Sequence, residues 1–242
     1  MPKNLRKERS DSGFIENSSL REALNYDILT TLGILNLSKE NNLHVLDIGG
    51  GIGKFSEIIA DNFNCKVDVL DPSTLVKKNF SKSKNLELIS SKLEDFNIEK
   101  KYDFIFMNLI LHHMICDDLK NTKNKQINSL KKALSFLKPE GKIIIQENFY
   151  NGFFNSDCAG RLIFMITKLK FIENLTRKLG ANTAGEGVRF RSYKSWESIF
   201  KKCGLNTLFE IKNPNDGYMP ILQKILLLCY GRFQSIRVCN LK

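Results

Sequence analysis

The chain has 242 residues, and its 37 lysines and arginines against 26 aspartates and glutamates leave a net charge of +11 at neutral pH. Hydrophobic residues make up 42% and charged residues 26%, a globular composition that excludes a disordered chain, a collagen or a coiled coil. No run of about 18 apolar residues occurs, which argues against a transmembrane helix. The charged N-terminus lacks the apolar segment of a secretory signal.

The six cysteines form no C-x-x-C pair, and several fall inside apolar runs typical of strands. We therefore expect six reduced thiols in a cytoplasmic protein, without a disulfide framework or a zinc site. Three histidines are too few for most histidine-based metal sites, so no metal is expected. The lysines are scattered, and no basic stripe carries aromatic residues between its charges. This favours a solvated surface over a nucleic-acid partner, although lysines can neutralise phosphates.

The N-terminal part of the chain is predicted to be a tail followed by a helix. Residues 1–17 are polar and are expected to be mobile. Ser19 and Glu22 have the spacing of a capping box, and apolar residues then recur at helical intervals, which predicts a cover helix over 18–37. We expect residues 18–242 to form a single domain.

From residue 44 onwards, short apolar segments alternate with amphipathic ones. A helix late in this region is predicted to include Leu137 and to stop before Pro139, with a turn at Glu140–Gly141. This alternation predicts a doubly wound, mostly parallel α/β sheet with helices on both faces. The predicted buried strands cover residues 44–48, 66–70, 86–89, 102–107 and 142–146.

The alternation stops between residues 149 and 192, which predicts a helical cap insertion with a functional role. Residues 180–187 are rich in glycine and are expected to form a flexible loop. The helix of the cap is predicted to have an apolar stripe through Leu162, Met165, Ile166, Leu169 and Ile172. The later predicted elements are a helix over 193–203, ended by Gly204, and strands over 205–211 and 224–230.

The glycine run Gly49–Gly53 lies at the carboxyl end of the first predicted strand, where ligands bind in open parallel sheets. A Walker loop needs Gly-Lys-Ser/Thr, but Phe55 follows Gly53 and Lys54. The dinucleotide pattern G-x-G-x-x-G fails because Lys54 occupies its third glycine position. The remaining pattern is D-x-G-x-G-x-G, and its glycines allow the backbone to approach a ligand closely.

The segment VLDIGGGIG resembles the first motif of the class I S-adenosylmethionine-dependent methyltransferases. The resemblance continues through YDFIFMNLILHHM, LKPEGKIIIQE and SYKSWESIFKKCGL to LQKILLLCYG, which is similar to the family's antiparallel last strand. It implies a seven-stranded, Rossmann-like sheet. It also implies S-adenosyl-L-methionine as the cofactor and S-adenosyl-L-homocysteine as the product. The ammonium and carboxylate of that cofactor suit a site made of backbone N–H groups and an acidic acceptor.

Asp71 follows the second predicted strand, where a carboxylate can accept hydrogen bonds from a ribose diol. Dinucleotide sites use the same device, and Asp71 could instead only start a helix. Lys92 stands where many family members carry an acid that binds adenine. Backbone groups near Leu93, or the displaced Glu94 or Asp95, would then take that role. The resemblance implies these cofactor-binding residues: Asp47, Gly49, Gly51, Gly53, Asp71, Leu93 and Asn108.

By the same resemblance, the methyl acceptor enters near the ends of the fourth and fifth strands, where His112, His113 and Glu147 lie. Imidazole takes up a proton near neutral pH, so either histidine is a candidate base, and its position slightly favours His112. The two histidines could also only cap a helix or pack against the cover. Glu147 could accept a hydrogen bond from the acceptor or be a solvated carboxylate, and Tyr150 could face the same pocket.

The segment VRFRSY alternates basic and aromatic residues. Arg189 and Arg191 are two residues apart and would point the same way in an extended segment, so they could bind a carboxylate or phosphate on the acceptor. The alternative is a surface hairpin paired to Asp or Glu. The candidate substrate-binding residues are therefore Tyr150, Arg189, Arg191 and Tyr193.

We therefore expect a methyltransferase that acts on an oxygen or nitrogen of a small-molecule acceptor, which would be anionic if the two arginines bind it. An RNA methyltransferase is an alternative that the net charge of +11 motivates. Against it, NLIL stands after the fourth strand instead of the N-P-P-Y motif of many base N-methyltransferases. A non-catalytic protein that binds the cofactor is a further alternative, motivated by Lys92.

Overall fold

The structure is a computed structural model, and it describes residues 43–63, 65–153, 157–169, 187–213 and 219–241. Three predicted features lie outside these residues. They are the tail over 1–17, the cover helix over 18–37 and, except for Gly187, the loop over 180–187. The part of the predicted cap helix beyond Leu169 also lies outside.

The first half of the described chain alternates strands with helices. Its strands are β1 (His44–Ile48), β2 (Lys66–Leu70), β3 (Leu86–Ile89) and β4 (Tyr102–Asn108), and its helices are α1 (Lys54–Phe63) and α2 (Thr74–Asn79). These strands match the predicted ones to within one residue, because each is an apolar run that a polar or glycine-rich turn ends. β1 pairs in parallel with both β2 and β4, so Asp47 has Val69 and Phe106 as its two neighbours in the sheet.

The second half adds four helices, three strands and one 3-10 turn, Leu111–His113. Its helices are α3 (Leu119–Leu134), α4 (Cys158–Lys168), α5 (Tyr193–Lys202) and α6 (Ile221–Leu226), and its strands are β5 (Leu137–Gly152), β6 (Leu205–Asn213) and β7 (Cys229–Leu241). The seven strands form one sheet in the order β3-β2-β1-β4-β5-β7-β6. β7 runs antiparallel to both β5 and β6. The predicted α/β sheet with an antiparallel last strand is confirmed.

β5 begins earlier than predicted. The predictions that Leu137 belongs to a helix and that Glu140–Gly141 forms a turn are wrong, because both lie within the strand. Leu137 is buried, and Lys138 pairs with Asp103 of β4 at 2.8 Å. Proline restricts the residue before it to extended backbone, so Pro139 favours a strand as well as ending a helix.

The strand predicted over 224–230 is also wrong. The first three residues of that run belong to α6, where Leu222 and Ile225 are exposed, and β7 begins only at Cys229. β7 lies between two other strands, yet it buries the polar side chains of Gln234 and Arg237. These side chains find hydrogen-bond partners in the sheet and the neighbouring helix, a condition that an apolar pattern does not reveal.

α4 buries a different face from the predicted stripe through Leu162, Met165 and Leu169, of which Met165 is half exposed. Gly160 explains the rotation of the helix, because a Cβ atom there would collide with the carbonyl oxygen of Phe190. The helix therefore turns its small residues towards that backbone. Its buried residues are Ala159, Gly160, Ile163, Phe164 and Thr167.

The chain divides into two compact units. The first comprises Met1–Met107 and Phe136–Gly141, and the second comprises Asn108–Ser135 and Lys142–Lys242. The core of the first unit lies on β1, β2 and β4, and that of the second includes the fully buried Trp196. The single domain predicted over 18–242 stays a prediction.

All six cysteines lie in the described residues, and none of them forms a disulfide there. No helix in the described part of the chain is long and apolar enough to cross a membrane.

Candidate functional site

The glycine run after β1 forms the loop that leads into α1. Gly49, Gly51 and Gly53 have φ angles of 75°, 56° and 82°, a left-handed conformation that is costly for residues with a side chain. Gly49 N donates to Leu70 O at 2.8 Å, which joins the loop to the end of β2. Glu57 N donates to Gly53 O, also at 2.8 Å, which starts α1. The loop therefore presents backbone to a ligand.

Asp47 packs against this loop and is only 2% exposed. Ser56 Oγ donates to Asp47 Oδ2 at 2.7 Å, while Oδ1 has no hydrogen-bond partner among the described residues. Burial raises the pKa of Asp47 to about 6, which the Ser56 hydrogen bond opposes and the charge of Asp71 reinforces. The carboxyl group therefore keeps one oxygen that can accept a further hydrogen bond.

Gly50 and Ser56 contribute to the site, although neither is among the predicted site residues. A Cβ atom on Gly50 would lie 2.9 Å from Val69 Cγ1 and closer still to the carboxyl group of Asp47. Gly50 is thus required by close packing. Its signal in the sequence is the unbroken triplet, which holds one glycine more than the D-x-G-x-G-x-G pattern needs. Ser56 leaves no such signal.

Asp71 follows β2 and is half-buried. Its Oδ2 accepts a hydrogen bond from Gly51 N at 3.2 Å, and its Oδ1 accepts one from Ser73 N at 2.9 Å. Burial raises the pKa of Asp71, and these two amide hydrogen bonds oppose the rise. Each oxygen keeps a lone pair for a further donor. The carboxylate can therefore bind two hydroxyl groups while it also holds the turn before α2.

The loop after β3 offers backbone groups at the predicted adenine position. Lys92 is exposed, and its carbonyl oxygen accepts from Asp95 N and Phe96 N. The side chains of Leu93 and Phe96 are buried, which anchors the turn. Leu93 N has no hydrogen-bond partner in the part of the chain that the structure describes. A backbone N–H group of this kind can donate to a ring nitrogen.

The residues of the first unit fit S-adenosylmethionine. Asp47 Oδ1 has no hydrogen-bond partner among the described residues, so it can balance the charge of an ammonium group. The glycine loop offers backbone without side chains, and Asp71 can accept hydrogen bonds from a ribose diol. Within the described ranges, no three His, Cys, Asp or Glu side chains come together as metal ligands. The absence of a metal stays a prediction.

The second unit contains a buried pair formed by His112 and Glu147. His112 Nδ1 lies 2.8 Å from Glu147 Oε2, and the backbone N of His112 donates to Glu147 Oε1 at 3.2 Å. The side chain of His112 is 7% exposed and that of Glu147 is 1% exposed. No described residue is a hydrogen-bond partner of His112 Nε2. Because Nδ1 donates to the carboxylate, Nε2 is the nitrogen that can accept a proton.

The pair distinguishes the two adjacent histidines. His113 is half-buried and its ring contacts that of His112 at 4.3 Å, but it is His112 that Glu147 binds, at the ring Nδ1 and at the backbone N. The alternative of a solvated Glu147 is wrong, because this side chain is buried. Asn108, which ends β4, is half-buried and opens the segment that leads to His112.

Gln126 of α3 holds the backbone around His112. Its Nε2 donates to Leu111 O at 3.1 Å and to Arg189 O at 3.2 Å, and Arg189 N donates to His112 O at 2.9 Å. Phe190 contacts the His112 ring, with the ring centres 4.4 Å apart. The role of Gln126 was not predicted from the sequence. Its signal is a glutamine four positions before Leu130, on the face of the helix that is buried.

Arg189 and Arg191 are buried, so the alternative of a surface hairpin is wrong. The pairing with an acidic residue that this alternative included is present. Asp157, at the start of α4, forms an ion pair with Arg189 and lies 3.7 Å from Arg191 Nη1. Burial, reinforced by the neighbouring Arg189, lowers the pKa of Arg191 to about 10. Arg191 Nε donates to Gln126 Oε1 at 2.6 Å. Their charge is thus shared with a carboxylate of the chain itself, which weakens the case for an acceptor anion there.

The two candidate tyrosines differ in their surroundings. The Tyr193 hydroxyl donates to Glu210 Oε2 at 2.8 Å, so it already has an acceptor. Tyr150 lies against the Phe190 ring at 4.8 Å, and Phe190 in turn contacts His112. Tyr150 is therefore the tyrosine that shares an aromatic neighbour with the buried pair. The binding of substrate by either one stays a prediction.

The sequence matches a family model described as a methyltransferase domain over residues 20–209. The isoflavone 7-O-methyltransferase of Glycyrrhiza echinata is 28% identical over 211 residues, 86% of this chain and 53% of that protein. The malonyl-[acyl-carrier protein] O-methyltransferase 2 of Ilyobacter polytropus is 35% identical over 118 residues, 47% of this chain and 42% of that protein. The chain thus spans about half the length of the curated relatives it matches.

Among solved structures, an N-methyltransferase from Bradyrhizobium japonicum in complex with S-adenosyl-L-homocysteine is similar in fold. Its TM-score is 0.52 at 12% identity, and the match covers 88% of this chain and 86% of that one. The family model, the strand order and the glycine loop agree with one another. The chain belongs to the class I S-adenosylmethionine-dependent methyltransferase family.

Proposed function

We propose that this protein transfers a methyl group from S-adenosylmethionine to a hydroxyl oxygen of a small-molecule acceptor, with His112 as the general base. The observation that carries the proposal is the 2.8 Å contact between His112 Nδ1 and Glu147 Oε2, which leaves Nε2 as the basic nitrogen. The relatives from Glycyrrhiza echinata and Ilyobacter polytropus support oxygen as the acceptor atom, since both are named O-methyltransferases.

When bound, S-adenosylmethionine supplies a methyl carbon that its sulfonium makes electrophilic. Asp47, the glycine loop and Asp71 would hold it, and Leu93 N would donate to its adenine. In the second unit, His112 Nε2 accepts the proton of the acceptor hydroxyl, which makes the oxygen a stronger nucleophile. Glu147 stabilises the imidazolium that forms, because its charge lies against Nδ1.

The choice of oxygen over nitrogen rests on the need for a base. A hydroxyl group is a poor nucleophile until it loses its proton, whereas a neutral amine attacks first and loses its proton afterwards. A buried histidine whose orientation a carboxylate holds at two points is the arrangement that a hydroxyl acceptor requires. None of the three proteins compared above is named for an RNA acceptor.

Calorimetric titration with S-adenosylmethionine and S-adenosylhomocysteine tests the cofactor part of the proposal. We expect binding by the wild type and a loss of about tenfold or more in Asp71→Ala, which removes a charged hydrogen-bond acceptor. Asp61→Ala removes an exposed carboxylate of α1 and should bind like the wild type. Absence of binding in the wild type would overturn the proposal.

Turnover with matched phenols and anilines tests the acceptor part. We expect S-adenosylhomocysteine to form with hydroxyl acceptors, and His112→Gln to lower kcat by about a hundredfold. His113→Gln should lower it much less, because Glu147 holds His112. A preference for the anilines, or equal losses in the two variants, would contradict the assignment of His112. Turnover of any defined acceptor would also exclude the non-catalytic alternative.

A further inference from the structure

Four polar or aromatic side chains share one face of the β5–β7 pair. Asn148 lies opposite Gln234 and Tyr150 lies opposite Arg232 in the antiparallel register. Residues that are directly paired, or two apart on one strand, project from the same face of a sheet. We call these four residues the polar patch. Asn148 and Gln234 are buried, and Tyr150 and Arg232 are half-buried.

Arg232 differs from the other arginines of the second unit that the structure describes. Glu197 and Glu210 pair with Arg237, and Asp157 pairs with Arg189, Arg191 and, more distantly, Arg161. The side chain of Arg232 forms no ion pair or hydrogen bond with any described residue. Its Nε is buried and has no hydrogen-bond partner among those residues. The Nε–H group of this half-buried residue has therefore lost water without gaining an acceptor.

The amide side chains near Arg232 are uncharged, and one of them offers a second hydrogen-bond donor. Gln146 Nε2 donates to Gln234 Oε1 at 2.7 Å, and Gln234 Nε2 donates to Asn148 Oδ1 at 3.3 Å. This chain of amides leaves Asn148 Nδ2 without a partner among the described residues. The Arg232 guanidinium lies 5.7 Å from the centre of the Tyr150 ring. The patch therefore combines a charged fork, an amide donor and an aromatic surface.

The patch is connected to the candidate base through one aromatic ring. Phe190 contacts the Tyr150 ring at 4.8 Å and the His112 ring at 4.4 Å. His112, Phe190, Tyr150 and Arg232 thus form a continuous series of side-chain contacts. A small molecule that reaches His112 Nε2 with its hydroxyl could place a second group near Arg232.

We propose that the polar patch binds the anionic group of the acceptor, a carboxylate or a phosphate, with Arg232 as its anchor and Asn148 Nδ2 as a second donor. The planar guanidinium matches the two oxygens of either group, and the anion supplies the acceptor that Nε lacks. This rests on the proposed function in one respect, that the bound anion belongs to the methyl acceptor. It moves anion recognition from Arg189 and Arg191, which Asp157 already engages, to β7.

Arginine Nε–Hε NMR resonances provide a direct test on the full chain. Benzoate and phenyl phosphate serve as anionic probes, and benzamide serves as the neutral isostere of benzoate. We expect a saturable shift of the Arg232 Nε–Hε signal with one or both anions and none with benzamide. The stronger of the two anions identifies carboxylate or phosphate as the natural group. An equal response to benzamide, or no saturable response to any probe, would overturn the proposal.

Two variants that lose one positive charge separate the site from a general charge effect. Arg232→Gln should weaken anion binding by about tenfold or more, the loss of a charged hydrogen bond, whereas Lys202→Gln on the exposed surface of α5 should leave it unchanged. Arg232→Lys keeps the charge and should retain part of the affinity, which guards against a folding defect. Unchanged binding in Arg232→Gln would refute the site.

The same titrations are repeated with S-adenosylhomocysteine present. Anion binding at Arg232 in a protein that binds no S-adenosylhomocysteine would support the polar patch and contradict the proposed methyltransferase function. The reverse result, cofactor binding without anion binding, would contradict only the proposed anion site.

Discussion

Glu147 binds His112 twice, once at the ring and once at the backbone. Its Oε2 lies 2.8 Å from Nδ1, and its Oε1 accepts from the His112 backbone N at 3.2 Å. Both oxygens of one buried carboxylate thus bind the same residue. Glu147 therefore fixes the tautomer of the His112 ring and also the position of the 3-10 turn. Because of this double contact, a substitution of Glu147 tests the role of His112 as the base while His112 itself stays in place.

We expect Glu147→Gln to lower kcat with a hydroxyl acceptor by about a hundredfold, with a smaller effect on KM. The amide cannot stabilise the imidazolium, and its NH₂ group favours the wrong tautomer of His112. Initial rates at saturating cofactor give both constants. Glu140→Gln, an exposed carboxylate on the same strand, is the matched control and should keep the wild-type kcat. A kcat that matches the wild type in Glu147→Gln would contradict the role of the pair.

Asp47 makes the stability of the protein without cofactor depend on pH. Burial raises the pKa of its carboxyl from the ordinary 3.8 to about 6 in the folded chain. Between these values the folded state binds more protons, so stability is highest below about pH 4 for this group and falls as the pH rises to 6. Above pH 6 the ionised, buried carboxylate costs up to about 3 kcal/mol.

Asp47→Asn removes this titration. We expect its free energy of unfolding in urea to fall less between pH 4.5 and pH 7 than that of the wild type, while its affinity for S-adenosylhomocysteine decreases. Asp61→Asn should follow the wild-type pH dependence, because that carboxylate is exposed. If all three proteins lost the same stability over this interval, the buried carboxyl would not be the cause.

Gly50→Ala tests the close packing of the loop. The added Cβ would meet Val69 and the Asp47 carboxyl, an overpacking that costs about 1–3 kcal/mol, and we expect it to abolish the binding of S-adenosylhomocysteine. Gly204→Ala is the control for conformational strain, since its φ is +74° but nothing lies within 4 Å of its Cβ. It should lose about 1 kcal/mol and bind normally. Calorimetry would refute the packing argument if Gly50→Ala bound as well as Gly204→Ala.

Asp157→Asn should be strongly destabilising. It removes the carboxylate shared by Arg189 and Arg191 and leaves two buried guanidinium groups, for which we expect a loss of about 3–5 kcal/mol. Arg191→Met should cost less, because it removes a cation whose pKa burial and Arg189 already lower. Thermal unfolding compares the two variants. A larger loss in Arg191→Met would show that its hydrogen bond to Gln126 outweighs the charge balance.

The parts of the fold that were predicted correctly have local causes. β1 to β4 are short apolar runs, and the glycine loop follows β1 directly, so residues close in the chain decide both. Leu137 and the segment over 224–230 were predicted wrongly for the opposite reason. Leu137 and Cys229 lie at the starts of strands whose partners come from elsewhere in the chain, and the pairing overrides the local apolar pattern.

The candidate site divides in the same way. Asp47, Gly51 and Asp71 could be named from a motif, since the loop and two adjacent strand ends bring them together. The choice between His112 and His113 could not, because it depends on a carboxylate 35 positions later. Arg189 was a candidate for an acceptor anion until Asp157, 32 positions earlier, was seen to pair with it.

By itself the amino-acid sequence determined the order of the first strands, the glycine loop and the family, because backbone conformation and apolar periodicity are properties of neighbouring residues. Only the tertiary structure decided which charges are already paired. A charged side chain is described by its residue type, but its availability depends on partners that the fold brings from distant positions, and burial then makes each pairing energetically decisive. That is why Glu147 binds His112 and Asp157 pairs with Arg189, while Arg232 has no carboxylate partner among the described residues.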